Sequence, residues 1–115
     1  APGAPPPFRN PLERAQALLA LANAAQYLPF CGIVKERIAA LLLATQPAKA
    51  ATFLRSAGDS YEAQGDIELE IHFSKLPAKR YQKAYELYAK ARDGERASRV
   101  QAKYERLQAQ RRPLA

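Results

Sequence analysis

Proline and glycine divide this chain into segments, and within each segment the apolar residues recur at helical spacing. Proline lacks a backbone N–H and glycine readily leaves the helical conformation, so both residues mark places where helices begin or end. The pattern predicts an all-α fold, a small bundle of about five helices with an extended N-terminal arm. The predicted helices cover residues 11–28, 33–44, 47–65, 77–93 and 95–111.

The chain length of 115 residues suits one domain of ordinary size. Four prolines among the first seven residues predict a proline-rich extended arm at residues 1–9. We expect a single helical domain at residues 10–112, which includes an insertion or loop at residues 67–80, and a tail at residues 113–115. Because the sequence does not begin with methionine, we also expect a processed chain.

The first helix has the clearest start signal. Asn10 is a good N-cap residue, Pro11 suits the first helical position, and Glu13 completes a capping box. Pro29 and Gly32 are expected to end this helix, because neither residue favours a helix interior.

Residues 15–34 carry no charge, and a membrane span requires a stretch of this length. Polar side chains, together with Pro29 and Gly32, interrupt the stretch. We therefore interpret it as two helices of a soluble hairpin rather than as a transmembrane helix.

The net charge of +7 lies in the C-terminal third of the chain. Residues 1–78 carry seven basic and seven acidic side chains, whereas residues 79–112 carry eleven basic and four acidic ones. A localised basic surface attracts acidic partners. We expect other protein subunits as partners, with RNA or anionic lipid contact through residues 79–112 as further possibilities.

The last predicted helix has two distinct faces. A narrow apolar seam of the kind that packs along another helix consists of Ala97, Val100, Tyr104 and Leu107. A basic stripe with the same spacing, one residue earlier, consists of Arg96, Arg99, Lys103 and Arg106. Since one residue is about 100° of helix rotation, the stripe lies beside the seam and is predicted to bind the partner.

Residues 67–73 alternate strictly between apolar and polar side chains. The apolar positions, which require burial and are predicted to bind a partner, are Ile67, Leu69, Ile71 and Phe73. The intervening Glu68, Glu70 and His72 resemble a metal-ligand set, but a solvated polar face explains them better. The segment is either a strand that docks on another chain's sheet edge or an irregular extension of a helix, and periodicity leaves both open.

Catalytic side chains are scarce in this sequence. Cys31 cannot form an internal disulfide because it is the only cysteine, and a nucleophilic role would need His72, the only histidine, as its base. The tyrosines coincide with apolar helix faces and are expected in the core. Tyr85 is the exception, since its neighbours in sequence include Lys83 and it could stack on a nucleic-acid base. We predict no enzyme activity, no cofactor and no small-molecule substrate.

Two segments resemble the helices of a tetratricopeptide repeat. Residues 53–66 contain the intervals of the first helix, and residues 81–91 contain those of the second. The matching positions are Gly58, Tyr61, Gly65, Asp66, Ala84, Tyr88 and Ala91. Residues 67–80 depart from the family pattern, because in a standard repeat the second helix follows the first at once. The resemblance implies an antiparallel helical hairpin that binds proteins and has no active site of its own.

These observations predict a structural accessory subunit that makes protein–protein interactions within a larger complex. An Ala/Arg-rich, acid-poor and processed chain suits a mitochondrial complex of the respiratory-chain or ATP-synthase type. The alternative is an RNA-binding or ribosomal accessory subunit that uses its basic C-terminal helix. Outside mitochondria, we would expect an intracellular soluble protein.

Overall fold

The computed structural model describes residues 10–24, 28–71 and 75–111. These residues form five helices, which confirms the predicted all-α bundle. The helices are α1 (Pro11–Ala24), α2 (Leu28–Leu42), α3 (Pro47–Glu70), α4 (Leu76–Lys90) and α5 (Gly94–Arg111). The predicted arm at residues 1–9 and the predicted tail at residues 113–115 lie outside the described residues.

The start of α1 follows the predicted capping pattern. The backbone N–H of Glu13 donates a hydrogen bond of 2.8 Å to the side-chain oxygen of Asn10. This bond satisfies one of the backbone donors that every helix N-terminus leaves without an intrahelical partner.

None of the helices in the described part of the chain is long and apolar enough to cross a membrane.

The helix α2 begins before the expected start at residue 33. Pro29 is its second residue, where the missing N–H of proline costs nothing. Gly32 lies inside α2, and a Cβ added there would come within 2.9 Å of the Tyr61 ring on α3. The prediction that Pro29 and Gly32 end the first helix is therefore wrong. Gly32 allows α2 and α3 to approach closely, and it does not end a helix.

The helix α3 continues through Gly65, where we predicted that it would end. A Cβ at Gly65 would come within 2.8 Å of the Tyr81 ring on α4, so this glycine also marks a close contact between helices. The extra turn places Ile67 and Leu69 on a helix. Of the two open readings for residues 67–73, the helix extension is the one observed over residues 67–70, while residues 72–74 lie outside the described part.

The turn between α4 and α5 is a Schellman motif centred on Arg92. This residue has a φ of 58°, the left-handed conformation that glycine usually provides. The N–H of Arg92 donates to the Ala89 carbonyl (3.0 Å) and the N–H of Asp93 donates to the Tyr88 carbonyl (2.9 Å). The prediction that Gly94 ends the fourth helix is wrong, because Gly94 is the first residue of α5.

Consecutive helices pack as neighbours, α1 on α2, α2 on α3, α3 on α4, and α4 on α5. The helix α4 runs antiparallel to α3, since Gly58 lies against Tyr88 and Gly65 against Tyr81. It also runs antiparallel to α5, since Gln82 bonds to Tyr104 and Tyr88 to Arg99. Two apolar clusters share α3. The first joins α1, α2 and the start of α3 through Ala15, Val34, Ile38, Leu42 and Ala50. The second joins α3, α4 and α5 through Ala57, Tyr61, Tyr81, Ala84, Leu87, Tyr88, Val100 and Leu107, among others. The predicted seam of α5 is thus confirmed as its buried face, with Tyr104 partly buried beside it.

Candidate functional site

Three of the four cations in the predicted basic stripe contact acidic side chains of α3. The Nε atom of Arg96 lies 3.2 Å from an Asp59 oxygen. The Nε atom of Arg99 donates to Glu62 (3.0 Å). The Nζ atom of Lys103 lies 2.8 Å from a Glu62 oxygen. It also lies 3.0 Å from an oxygen of the third α3 acid, Asp66.

The matching spacing of the two charge sets explains these contacts. Because α3 and α5 both run antiparallel to α4, they are parallel to each other, and residues with equal spacing face each other in register. The α3 acids have the sequence intervals three and four, and so do their partners on α5. We call these six residues the α3–α5 network: Asp59, Glu62, Asp66, Arg96, Arg99 and Lys103.

Buried tyrosines on α4 complete the hydrogen bonding of the network. The Tyr88 hydroxyl lies 2.6 Å from an Asp59 oxygen and 2.7 Å from a Glu62 oxygen. The Tyr81 hydroxyl donates to Asp66 at 2.7 Å. Burial, together with hydrogen bonds to carboxylates, raises the pKa of both hydroxyls above the usual 10.0. Both tyrosines therefore remain protonated near neutral pH and act as hydrogen-bond donors.

Glu62 lies at the centre of the network, with its side chain 6% exposed. Burial by itself would raise the pKa of this carboxyl. Hydrogen bonds from Arg99, Lys103 and Tyr88 outweigh that effect and lower the pKa to about 2. Glu62 is thus a fixed anion at neutral pH, and it is unsuited to accepting and releasing protons in a reaction.

The network and the ion pair beside it are electrically balanced. Arg55 lies 3.0 Å from Asp93, which also pairs with Arg96. With this pair included, four acidic side chains face four basic ones: Asp59, Glu62, Asp66 and Asp93 against Arg55, Arg96, Arg99 and Lys103. The excess positive charge of the chain therefore resides on other residues.

Arg106, the fourth cation of the predicted stripe, lies beyond the network. It is exposed, and within the described residues it forms no ion pair. It lines a cavity of about 200 Å³ between α3 and α5, whose other walls include Leu69, Tyr81 and Leu107. Arg106 thus differs from the other three residues of the stripe, whose positive charges are neutralised by acidic side chains of α3.

Three of the four predicted apolar contact residues are exposed at the end of α3. The exposed fractions are 49% for Ile67, 42% for Leu69 and 59% for Ile71. Leu69 lies roughly 200° of helix rotation from Ile67, so it points towards the opposite flank of α3. Phe73 lies outside the described residues. The helix therefore distributes the apolar residues around its end instead of aligning them on one face.

The described polar residues of the same segment, Glu68 and Glu70, have different surroundings. Glu68 is buried and accepts hydrogen bonds from Gln64 (2.9 Å) and Arg80 (3.0 Å), whereas Glu70 is exposed. His72 lies outside the described residues. Within the described ranges, no group of three or more histidine, cysteine or acidic side chains is placed to hold a metal ion.

Tyr85 lies apart from the cations that precede it in the sequence. It is 42% exposed and lines a groove of about 440 Å³ between α4 and α5, together with Arg92. On the other flank of α4, Arg80 pairs with Glu68 and Lys83 pairs with Glu36. The structure therefore does not bring Tyr85 into a cluster with these cations.

Cys31 is buried in α2, and its thiol donates to the side-chain oxygen of Asn23 at 3.3 Å. Burial is typical of a free cysteine, which behaves as a small apolar residue in a protein interior.

The α3 acids are the feature that sequence reasoning missed. A search for acids spaced like the basic stripe would have found the set at Asp59, Glu62 and Asp66.

Comparison of the chain with protein-family models, curated proteins and solved structures finds no match. A function is therefore inferred from the geometry and the sequence of this chain itself.

Proposed function

We propose that this chain is a non-catalytic accessory subunit that binds another protein of a larger complex through one end of its helical bundle. We call this the α3–α4 end, defined by Ile67, Leu69, Ile71, Lys75, Lys79 and Arg106. The exposure of Ile67, Leu69 and Ile71 carries the proposal. Three large aliphatic side chains exposed within five residues at one end of a bundle are typical of a site where another molecule binds.

The charge of this end supports a protein partner with an acidic surface. Lys75, Lys79 and Arg106 are exposed, and none of them forms an ion pair with another described residue. Lys75 and Lys79 lie at the start of α4, and Arg106 lines the same cavity as Leu69. Exposed aliphatic side chains together with unpaired cations complement an amphipathic acidic surface.

The non-catalytic part of the proposal is supported by the state of the polar groups. The buried carboxylates of Glu62 and Glu68 are held by hydrogen bonds within the chain. The hydroxyls of Tyr81 and Tyr88 remain protonated because their pKa values are raised. The bonds of Glu62, Tyr81 and Tyr88 stabilise helix packing, so these three groups are not free to activate a substrate.

The finer parts of the proposal rest on the sequence. An Ala/Arg-rich and acid-poor composition supports a mitochondrial complex of the respiratory-chain or ATP-synthase type. The tetratricopeptide-like hairpin rests on the sequence intervals of small residues such as Gly58 and Ala84. Both parts agree with a scaffold that binds proteins.

Site-specific photo-crosslinking in an extract of the source cells tests this function. A benzophenone amino acid replaces Ile71 in one variant and Leu43 in a matched control. The two leucine-sized side chains have similar exposure (59% and 62%), and Leu43 lies at the opposite end of α3. We expect the probe at position 71 to capture a defined protein that the control does not capture.

Two results would contradict the proposal. One is the same capture pattern at both positions. The other is the recovery of RNA instead of protein at position 71, with an affinity that falls log-linearly with salt, which would favour the RNA-binding alternative.

A further inference from the structure

We propose that the cavity between α3 and α5 is a socket for one large apolar side chain of the partner protein, and that Arg106 at its rim binds a carboxylate next to that side chain. This inference rests on the proposed function and specifies the partner segment as an acidic one. It also assigns Leu69 and Leu107 to the apolar walls of the socket.

The size of the cavity favours a single side chain. Its volume of about 200 Å³ is below the roughly 300–1,000 Å³ that is usual for small-molecule and cofactor sites. Leu107 is 7% exposed and Leu69 is 42% exposed, so the socket has a buried wall and an accessible one. An aliphatic or aromatic side chain that enters here would cover the exposed part of Leu69.

Three of the polar side chains that line the cavity, Asp66, Tyr81 and Lys103, already bond to one another or to Glu62. The Tyr81 hydroxyl donates to Asp66, and Lys103 pairs with both Asp66 and Glu62. A polar ligand would have to break these bonds, whereas an apolar side chain leaves them intact. The Tyr81 ring is 1% exposed, so its face is not available for stacking on a nucleic-acid base.

Arg106 provides the charge that selects an acidic segment. The residues one turn before and after it on α5 are Ala102, Lys103, Ala109 and Gln110, none of which is acidic. Glu70 on the last turn of α3 forms no ion pair with it. An exposed guanidinium binds a carboxylate favourably, often through two parallel hydrogen bonds.

Titration of the whole chain by NMR with two synthetic hexapeptides tests the socket. The probe is acetyl-Glu-Glu-Leu-Phe-Glu-Glu-amide, and the control peptide has two alanines in place of leucine and phenylalanine. We expect saturable shifts of backbone amides in residues 66–71 and 103–110 with the probe alone. Equal binding of the alanine peptide, shifts elsewhere, or no saturable shift at millimolar concentration would overturn the inference.

Two surface variants separate the charge from the apolar contact. Arg106→Glu and Leu69→Glu should each weaken the probe peptide at least about tenfold. The matched controls Arg37→Glu and Leu43→Glu alter exposed residues away from the cavity, and they should change affinity by less than about twofold. Thermal unfolding checks that all four variants fold. An affinity for Arg106→Glu equal to that of Arg37→Glu would refute the role of Arg106.

The crosslinking assay distinguishes failure of the socket from failure of the proposed function. Capture of a protein at position 71 that persists in Leu69→Glu and Arg106→Glu would refute the socket and leave the function standing. Peptide binding at the socket without any captured protein would contradict the function. A lipid-binding surface would give a different result. The chain would sediment with phosphatidylcholine–phosphatidylglycerol vesicles, Arg106→Glu would abolish this sedimentation, and the probe peptide would not bind. That result would refute the socket.

Discussion

At the scale of single residues, Glu62 shows how a buried charge is held in this fold. Its carboxylate receives hydrogen bonds from Arg99 and Lys103 on α5 and from Tyr88 on α4. Burying a carboxylate lowers the folding stability unless its oxygens accept hydrogen bonds. Removing one member of a buried ion pair leaves the charge of the other member uncompensated. Glu62 therefore connects three helices through one side chain.

We expect the folding stability to fall when the pH is lowered from 4.5 towards 2. The pKa of Glu62 is about 2 in the folded chain and 4.5 in its usual state, so the unfolded chain binds the proton more readily. The stabilisation is therefore fully present above pH 4.5 and disappears as the pH approaches 2. Its size is on the order of 2–3 kcal/mol. Urea unfolding at a series of pH values measures it.

The variant Glu62→Gln isolates this residue from the other carboxylates. It should be less stable than the original chain by about 2–3 kcal/mol at pH 7 and should vary less with pH between 4.5 and 2. The control is Glu105→Gln, because Glu105 is exposed and bonds only to Gln101 on its own helix. If the free energy of unfolding of Glu62→Gln changed with pH in the same way as that of the original chain, the result would contradict the pKa assigned to Glu62.

At the scale of helices, glycines determine how closely neighbouring helices pack. Gly32 lies against the Tyr61 ring, Gly58 against Tyr88, and Gly65 against Tyr81. Each of these contacts combines the smallest residue on one helix with a large ring on the next, which lets the two helices approach. The contact at Gly58 is the tightest, because Tyr88 is fully buried and its hydroxyl is bonded to Asp59 and Glu62.

The substitution Gly58→Ala should destabilise the chain by about 1–3 kcal/mol. Its Cβ would lie 2.6 Å from a carbon of the Tyr88 ring, which has no space into which to move. The matched control is Gly94→Ala, since no atom lies within 4 Å of a Cβ at that position. The control should be neutral or more stable by up to about 1 kcal/mol, because alanine favours helix. Chemical denaturation of both variants provides the comparison, and equal stability would contradict the packing argument.

At the scale of the whole molecule, the helices form a chain of neighbours with α3 between two apolar clusters. The helix α1 packs mainly on α2, whereas α4 is covered by both α3 and α5. The helix α5 is also terminal, but the α3–α5 network attaches it to a second helix. Stability is therefore unequal along the molecule, as expected when elements contact mainly their neighbours.

We expect the amides of α1 to exchange with solvent through local opening, at a lower free energy than those of α4. The amides of α4 should exchange through global unfolding, because α4 is packed on both sides. At high salt, α5 should lose protection, because the exposed ion pairs that attach it to α3 are screened. Hydrogen exchange followed by NMR measures both effects. Uniform protection of α1 and α4 would contradict this order.

Local signals in the sequence were enough to predict the helices and some of their ends. Asn10 and Glu13 cap α1 as expected, and the seam at Val100 and Leu107 is buried as expected. These features depend on residues a few positions apart, so periodicity and capping rules detect them. They account for the all-α class and for the number of helices in the described residues.

Only the tertiary structure decided what the glycines and the basic stripe do. Gly32 and Gly65 have the same sequence signature whether they end a helix or admit a ring from the next helix, and the choice depends on that ring. Likewise, the spacing of Arg99 and Lys103 predicted a cationic face on α5. It did not predict that Glu62, which is 37 residues from Arg99 in the sequence, bonds to that face. The path of the chain determines such pairings, because residues distant in sequence meet only when the helices have packed.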